Sequence, residues 1–278
     1  MTRPIPDEPV LLDAVAALGV PLIDTLASLE FVQRRLHPPR IVELREVLLP
    51  RGEALDAARG VFREVVPGAT AVDEDGTRGV FGFCRALEAA TDAALRAIEL
   101  FCQDGEDPML GMGRILESMR CHAIAQETLF GLRRALPPVD RFFLDERRRE
   151  EAGRFERTQA SSQAASAGLF HARNGRDARG GFSLWIPEDS ANAPFPLLVV
   201  LHGGSGHGAD FLWTWLREGR SRHCAILSPT ARGGTWSFQG PDVDAAALPA
   251  MIDWACERWP IDRERVLLTG LSDGGTYS

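Results

Sequence analysis

Lysine is absent from this chain. All 31 basic residues are arginine, which excludes chemistry that needs a lysine amine, such as Schiff bases and serine–lysine pairs. With abundant alanine, glycine and proline, the bias reflects coding rather than function. Cysteine is scarce. Cys84, Cys102, Cys121, Cys224 and Cys256 are odd in number and widely spaced, with no Cys-x-x-Cys, so each is expected as a small buried apolar residue in a reducing compartment. Positive charge is outweighed: the net charge is −8, and without a basic stripe no nucleic-acid partner is expected. The amino terminus lacks a basic region followed by an unbroken apolar run. Asp13 and Asp24 interrupt the later apolar segment, so neither a signal peptide nor a membrane span is expected, and the expected location is the cytoplasm.

What is present suffices for cores. The 278 residues are 45% hydrophobic, which suits two ordinary domains. Residues 1–157 read as an all-α domain or extension. Ile23, Leu26, Leu29, Val32 and Leu36 recur at helical spacing before Pro38-Pro39, and Gly52 to Val66 reads as a second helix. The loop from Pro67 to Gly76 separates it from two stronger helical segments. Phe81 to Cys102 carries Leu87, Ala90, Ala94, Leu95, Ile98 and Phe101 in period; Met112 to Leu136 carries Ile115, Met119, Ile124 and Leu132, with Pro137-Pro138 as its stop. Arg141 to Arg157 reads as a solvated helix laced with ion pairs. His122 stands alone, with no second ligand at metal spacing. No catalytic constellation falls in this region; oligomerisation and substrate gating are the roles open to it.

Residues 158–167 are small and polar and read as a linker. Residues 168–278 change character. Leu169 to Arg173 and Gly181 to Pro187 are strand-like runs around Asn174-Gly175-Arg176-Asp177, a hairpin composition. Pro196 to Leu201 and Cys224 to Pro229 are continuous apolar runs suited to strands buried on both faces, with a helical segment around Leu212 to Glu218 between them. A helix from Pro249 to Trp259 and a strand from Arg265 to Thr269 follow. Alternating strands and crossover helices mean an α/β fold whose sheet is mostly parallel, with an N-terminal hairpin.

Two motifs sit at strand ends. Gly270-Leu271-Ser272-Asp273-Gly274 is a Gly-x-Ser-x-Gly pattern with Gly275 behind it. A serine hydroxyl is a weak nucleophile unless held exposed where a base can take its proton, and a sharp strand-to-helix turn does this. Gly270 and Gly274 are required where backbone and helix come too close for side chains, and Gly275 lets the helix pack on the sheet. The second motif is Leu201-His202-Gly203-Gly204 after the earlier strand.

Together these residues resemble the phospholipase/carboxylesterase branch of the α/β-hydrolases, over roughly 168–278. The resemblance implies the front half of such a sheet, incomplete at the C-terminus, and a serine hydrolase of carboxylic esters working through a covalent acyl-enzyme, with no metal or organic cofactor and a small-molecule ester as partner. It makes Ser272 the nucleophile and the backbone N–H groups of Gly204 and Asp273 the oxyanion hole. It gives His202 the task of ordering the oxyanion loop, with Gly203 beside it, and it leaves the Asp273 side chain to favour the first turn of its helix. His207 and His223 are weaker candidates for the base than His202. Asp242 and Asp244 read as caps, and Trp236 and Phe238 as either pocket lining or core. In the family's chain order the acid and histidine follow the serine. They are therefore expected beyond Ser278, about 100 further residues being needed, and the 278-residue chain alone is expected to be inactive or poorly soluble. A serine peptidase on the same scaffold and a non-catalytic binding module of that fold are the alternatives.

Overall fold

The structure is a computed structural model that describes residues 7–66, 79–103, 108–155, 167–188, 194–237 and 241–278. The loop expected over 67–76, the linker expected over 158–167 apart from Ala167, and Phe238 lie outside the described residues. The chain divides into two compact units, Met1–Asp140 and Arg141–Ser278.

The first unit is helical: α1 (Glu8–Arg34), α2 (Ile41–Val65), α3 (Gly79–Cys102) and α4 (Pro108–Phe130), with α5 (Pro137–Phe142) spanning the division. Leu18, Leu22, Leu26, Leu29 and Val32 bury one face of α1 at helical spacing. The helix starts thirteen residues before the expected Pro21, which lies inside it, and Leu36 falls beyond its end. By length and composition α1 is apolar enough to cross a membrane. Pro50 likewise lies inside α2. Arg63 of α2 pairs with the buried Glu88 of α3, so the charge of that buried carboxylate is neutralised by its neighbour, and Arg59 donates to the exposed Asp92 at 2.6 Å. α4 ends at Phe130, short of the expected Leu136, and Pro137-Pro138 opens α5 instead of stopping α4, because proline's missing donor is harmless in a first helical turn.

The second unit holds α6 (Glu146–Phe155) and a sheet. Its elements are β1 (Gly168–Ala172), β2 (Phe182–Ile186), β3 (Phe195–Leu201), α7 (Gly208–Arg222), β4 (Ala225–Pro229), α8 (Ala247–Cys256), β5 (Ile261–Gly270) and α9 (Asp273–Tyr277). The strand order is β1-β2-β4-β3-β5. The hairpin β1–β2 and the pair β2–β4 are antiparallel, while β4–β3 and β3–β5 are parallel. The chain therefore has a helical amino-terminal region and a five-stranded mixed sheet, an α/β arrangement. Leu197, Val199, Leu201, Ala225 and Leu227 form the sheet core, with Leu248, Met251 and Ile252 of α8 packed against it.

The charged segment after Asp140 is less solvated than its composition suggests. Phe142 and Phe143 are buried, and Phe143 meets Trp213 of α7 edge-on at 6.0 Å. Ser221 of α7 accepts the Asp145 amide at 2.7 Å, and its carbonyl accepts Arg148 Nε at 2.9 Å.

Among the described residues, β5 is the last strand in the order and pairs with β3 alone. Val266, Leu267 and Leu268 are consequently 36%, 56% and 43% exposed.

Candidate active site

Because β3 and β5 run parallel and pair as far as Leu201 opposite Gly270, the segments that leave them emerge side by side. This is the crevice outside the carboxyl ends of parallel strands where α/β sheets place ligands. The Leu271 amide donates to the Leu201 carbonyl at 3.1 Å, which carries the register one residue past the strands. Ser272 then takes φ 51° and ψ −118°, a conformation that L-residues avoid and that turns the chain sharply into α9.

The glycines are explained by what surrounds them. A side chain at Gly274 would fall on the Leu201 and His202 carbonyl oxygens, and one at Gly270 would lie 2.6 Å from the Gly275 nitrogen. Gly275 is less crowded: its added carbon would approach the Gly270 oxygen at 3.2 Å. At Gly203 a Cβ would stand 3.5 Å from the Ser272 Cβ, and at Gly204 it would stand 2.6 Å from Asp273 Oδ2. Both motifs thus meet at Ser272. Among the described residues, no acceptor takes the Gly204 amide or the Asp273 amide.

His202 is buried beneath the turn. The Ala231 amide donates to its Nε2 at 3.1 Å, so the ring proton sits on Nδ1 and is donated to the Gly203 carbonyl at 2.6 Å. Burial, more than the nearby Arg179 and His207, lowers its pKa to about 4; the imidazole is neutral with both nitrogens committed. The Trp236 ring lies tilted against it, ring centroids 5.0 Å apart, and donates its indole N–H to the His202 carbonyl at 2.7 Å. Trp236 is 3% exposed, so of its two sequence readings core packing holds.

The other histidines of this unit also have structural partners. His207 caps α7: its Nδ1 accepts the Ala209 amide at 3.1 Å and its Nε2 donates to the Ala178 carbonyl at 2.8 Å. His223 closes α7 in the left-handed region at φ 54°, at the end of the sheet opposite the Ser272 turn. His171 lies on β1, the other edge strand, with Nδ1 2.8 Å from Ser183 Oγ. The two carboxylates before α8 organise their loop. Asp242 Oδ1 accepts the Asp244 and Ala245 amides at 3.0 and 2.9 Å, and the Tyr277 hydroxyl donates to it at 2.7 Å. The Tyr277 bond holds the Asp242 carboxyl below its ordinary pKa. Asp244 is buried and accepts the Arg232 amide at 3.0 Å and Ser237 Oγ at 2.9 Å. No group of three or more potential metal ligands occurs among the described residues.

No protein-family model matches the chain, and no curated protein matches it. A solved structure titled as that of a thermostable esterase is similar to part of it. Identity is 22%, the alignment covers 40% of this chain and 36% of that one, and the TM-score is 0.31. The chain thus spans little more than a third of that esterase's length.

Sequence reasoning singled out both motifs and missed what joins them. The Ser205 amide donates to the Gly234 carbonyl at 2.8 Å, and Thr235 Oγ1 donates to Asp273 Oδ2 at 2.6 Å. Arg232 to Phe238 reads as a loop with Trp236 and Phe238 as pocket lining or core, and no spacing rule links Thr235 to Asp273, some forty residues away.

Proposed function

We propose that the second unit is an α/β-hydrolase-type domain and that the protein is a serine hydrolase of carboxylic esters. One observation carries this reading: Ser272 stands at a strained strand-to-helix turn, at φ 51°, directly beside the glycine turn 203–204. In the reaction Ser272 Oγ attacks the ester carbonyl carbon and loses its proton to a base. The carbonyl oxygen becomes an oxyanion that the Gly204 and Asp273 amides receive, both uncommitted within the described residues. Collapse expels the alcohol, which takes up the proton, and water then releases the carboxylic acid from the acyl-serine. His202 supports the turn rather than serving as that base, because both its nitrogens are engaged.

A second reading is a binding module of the same scaffold without catalysis. It is favoured by the structural commitments of the described histidines in the second unit. Labelling by a fluorophosphonate probe, together with turnover of p-nitrophenyl acyl esters, decides between them. In the whole protein, with its triad acid and base present, both are expected and both are lost in Ser272→Ala. Label that survives in Ser272→Ala, or no label in either chain, removes the hydrolase reading. Parallel assays on amide substrates separate esterase from peptidase.

A further inference from the structure

We propose that Thr235 is a positioning residue that holds the 203–205 turn in register with Ser272 by way of the Asp273 carboxylate; the proposal rests on the hydrolase reading of this site.

Among the described residues, four hydrogen bonds join residues 231–236 to the two motifs. Three go to the glycine turn and its root: the Ala231 amide to His202 Nε2 at 3.1 Å, the Ser205 amide to the Gly234 carbonyl at 2.8 Å, and the Trp236 indole to the His202 carbonyl at 2.7 Å. The fourth, from Thr235 Oγ1 to Asp273 Oδ2 at 2.6 Å, goes to the turn that carries Ser272. The segment therefore clasps the two proposed oxyanion donors from outside, and Thr235 is its side-chain link to the serine turn.

The same carboxylate oxygen occupies the space a side chain at Gly204 would need, 2.6 Å from that added carbon. Gly204, Asp273 and Thr235 thus form a packed trio in which each limits the others. A hydroxyl bond to a carboxylate is of the stronger, shorter kind. Released from Thr235, the carboxylate has no fixed orientation beside an amide that seeks an acceptor. It could then compete with a substrate oxygen for that N–H, and its negative charge would oppose the oxyanion. Such competition slows the chemical step without altering ground-state binding, because the amide donors matter most when charge develops on the substrate oxygen.

The test uses the full chain with Thr235→Val, which keeps the side-chain volume and removes the donor, and Thr235→Ser, which keeps the donor. With a p-nitrophenyl ester, kcat is expected to fall about tenfold in Thr235→Val with KM within about twofold, and to return to within about twofold of wild type in Thr235→Ser. Asp273→Ala is expected to lower kcat also. The double variant Thr235→Val/Asp273→Ala should be no worse than the more affected single variant, since both remove one interaction. Equal kcat in Thr235→Val and wild type, or additive losses in the double variant, overturns the proposal. Hydrogen exchange gives a reading that does not depend on turnover. The Ser205 and Gly206 amides, both hydrogen-bonded, should exchange faster in Thr235→Val and at the wild-type rate in Thr235→Ser. If Ser272 takes no fluorophosphonate label, the hydrolase reading falls by itself; unchanged exchange in Thr235→Val then overturns the coupling as well.

Discussion

At Ser272 a non-glycine residue holds φ 51°, a conformation that costs on the order of 1–3 kcal/mol and persists only where the surroundings over-determine it. Those surroundings are main-chain atoms. Gly274→Ala sets a methyl group against two carbonyl oxygens that belong to the end of β3, and neither can retreat without breaking the sheet register. Unfolding by urea is expected to show a loss of about 3 kcal/mol. Gly204→Ala meets a side chain instead, the Asp273 carboxylate, which can rotate away. Ester turnover should fall, because the added methyl displaces the carboxylate from its bond to Thr235 and re-aims the Gly204 N–H, which alanine retains, away from the oxyanion. His202 provides a pH test. Its folded pKa is lowered to about 4 from 6.5, so the folded state favours the neutral ring. The resulting stability is fully present above pH 6.5 and is lost as pH falls through about 4, amounting to about 3 kcal/mol. The groups around the ring are the Gly203 carbonyl, Arg179, His207 and Asp244. Denaturant titrations at stepped pH should show this dependence in the wild type and lack it, after subtraction, in His202→Gln. Equal slopes in the two chains would sink the assignment.

At the scale of elements, β5 stands out. It carries the serine yet offers an unpaired edge, with Leu267 more than half exposed. Such an edge is a template for pairing with another chain. The purified chain is expected to self-associate, and Leu267→Lys to lower the aggregated fraction in light scattering while leaving the circular dichroism unchanged. Aggregation at the wild-type level in that variant would place the sticky surface elsewhere. The segment that follows Asp140 makes a second point. Its arginines and glutamates read as a solvated helix, and its phenylalanines were given no task. Phe143 is in fact buried against Phe142 and Trp213. Truncation by Phe143→Ala should lower the stability of the second unit by about 3–5 kcal/mol, read from its urea midpoint.

Over the whole molecule, the chain forms two units, each with its own apolar core. A core of one's own is the condition for folding alone. Residues 141–278 expressed separately are expected to unfold cooperatively, and a fragment that starts at 158 to be less stable, because it lacks Phe142, Phe143 and the Asp145 and Arg148 bonds to Ser221. Equal midpoints for the two fragments would show that the segment contributes nothing. Much of this organisation was legible beforehand. The alternation of apolar runs and helical periods announced the change from helices to a sheet, and the glycine spacing around Ser272 announced the turn. Boundaries were less legible: α1 runs through Pro21 and α2 through Pro50, since a buried helical face outweighs the local penalty of one proline.

By itself the sequence determined where the backbone could be closely approached, because a missing Cβ is a local property: Gly203, Gly204, Gly270 and Gly274 are the positions of such approach. Only the tertiary structure decided that Thr235 meets Asp273, that both nitrogens of His202 are spoken for, and that β3 lies between β4 and β5. Those facts depend on which strands pair and in what register. Register is set by the summed burial of residues far apart in the chain, and no window along the sequence contains that sum.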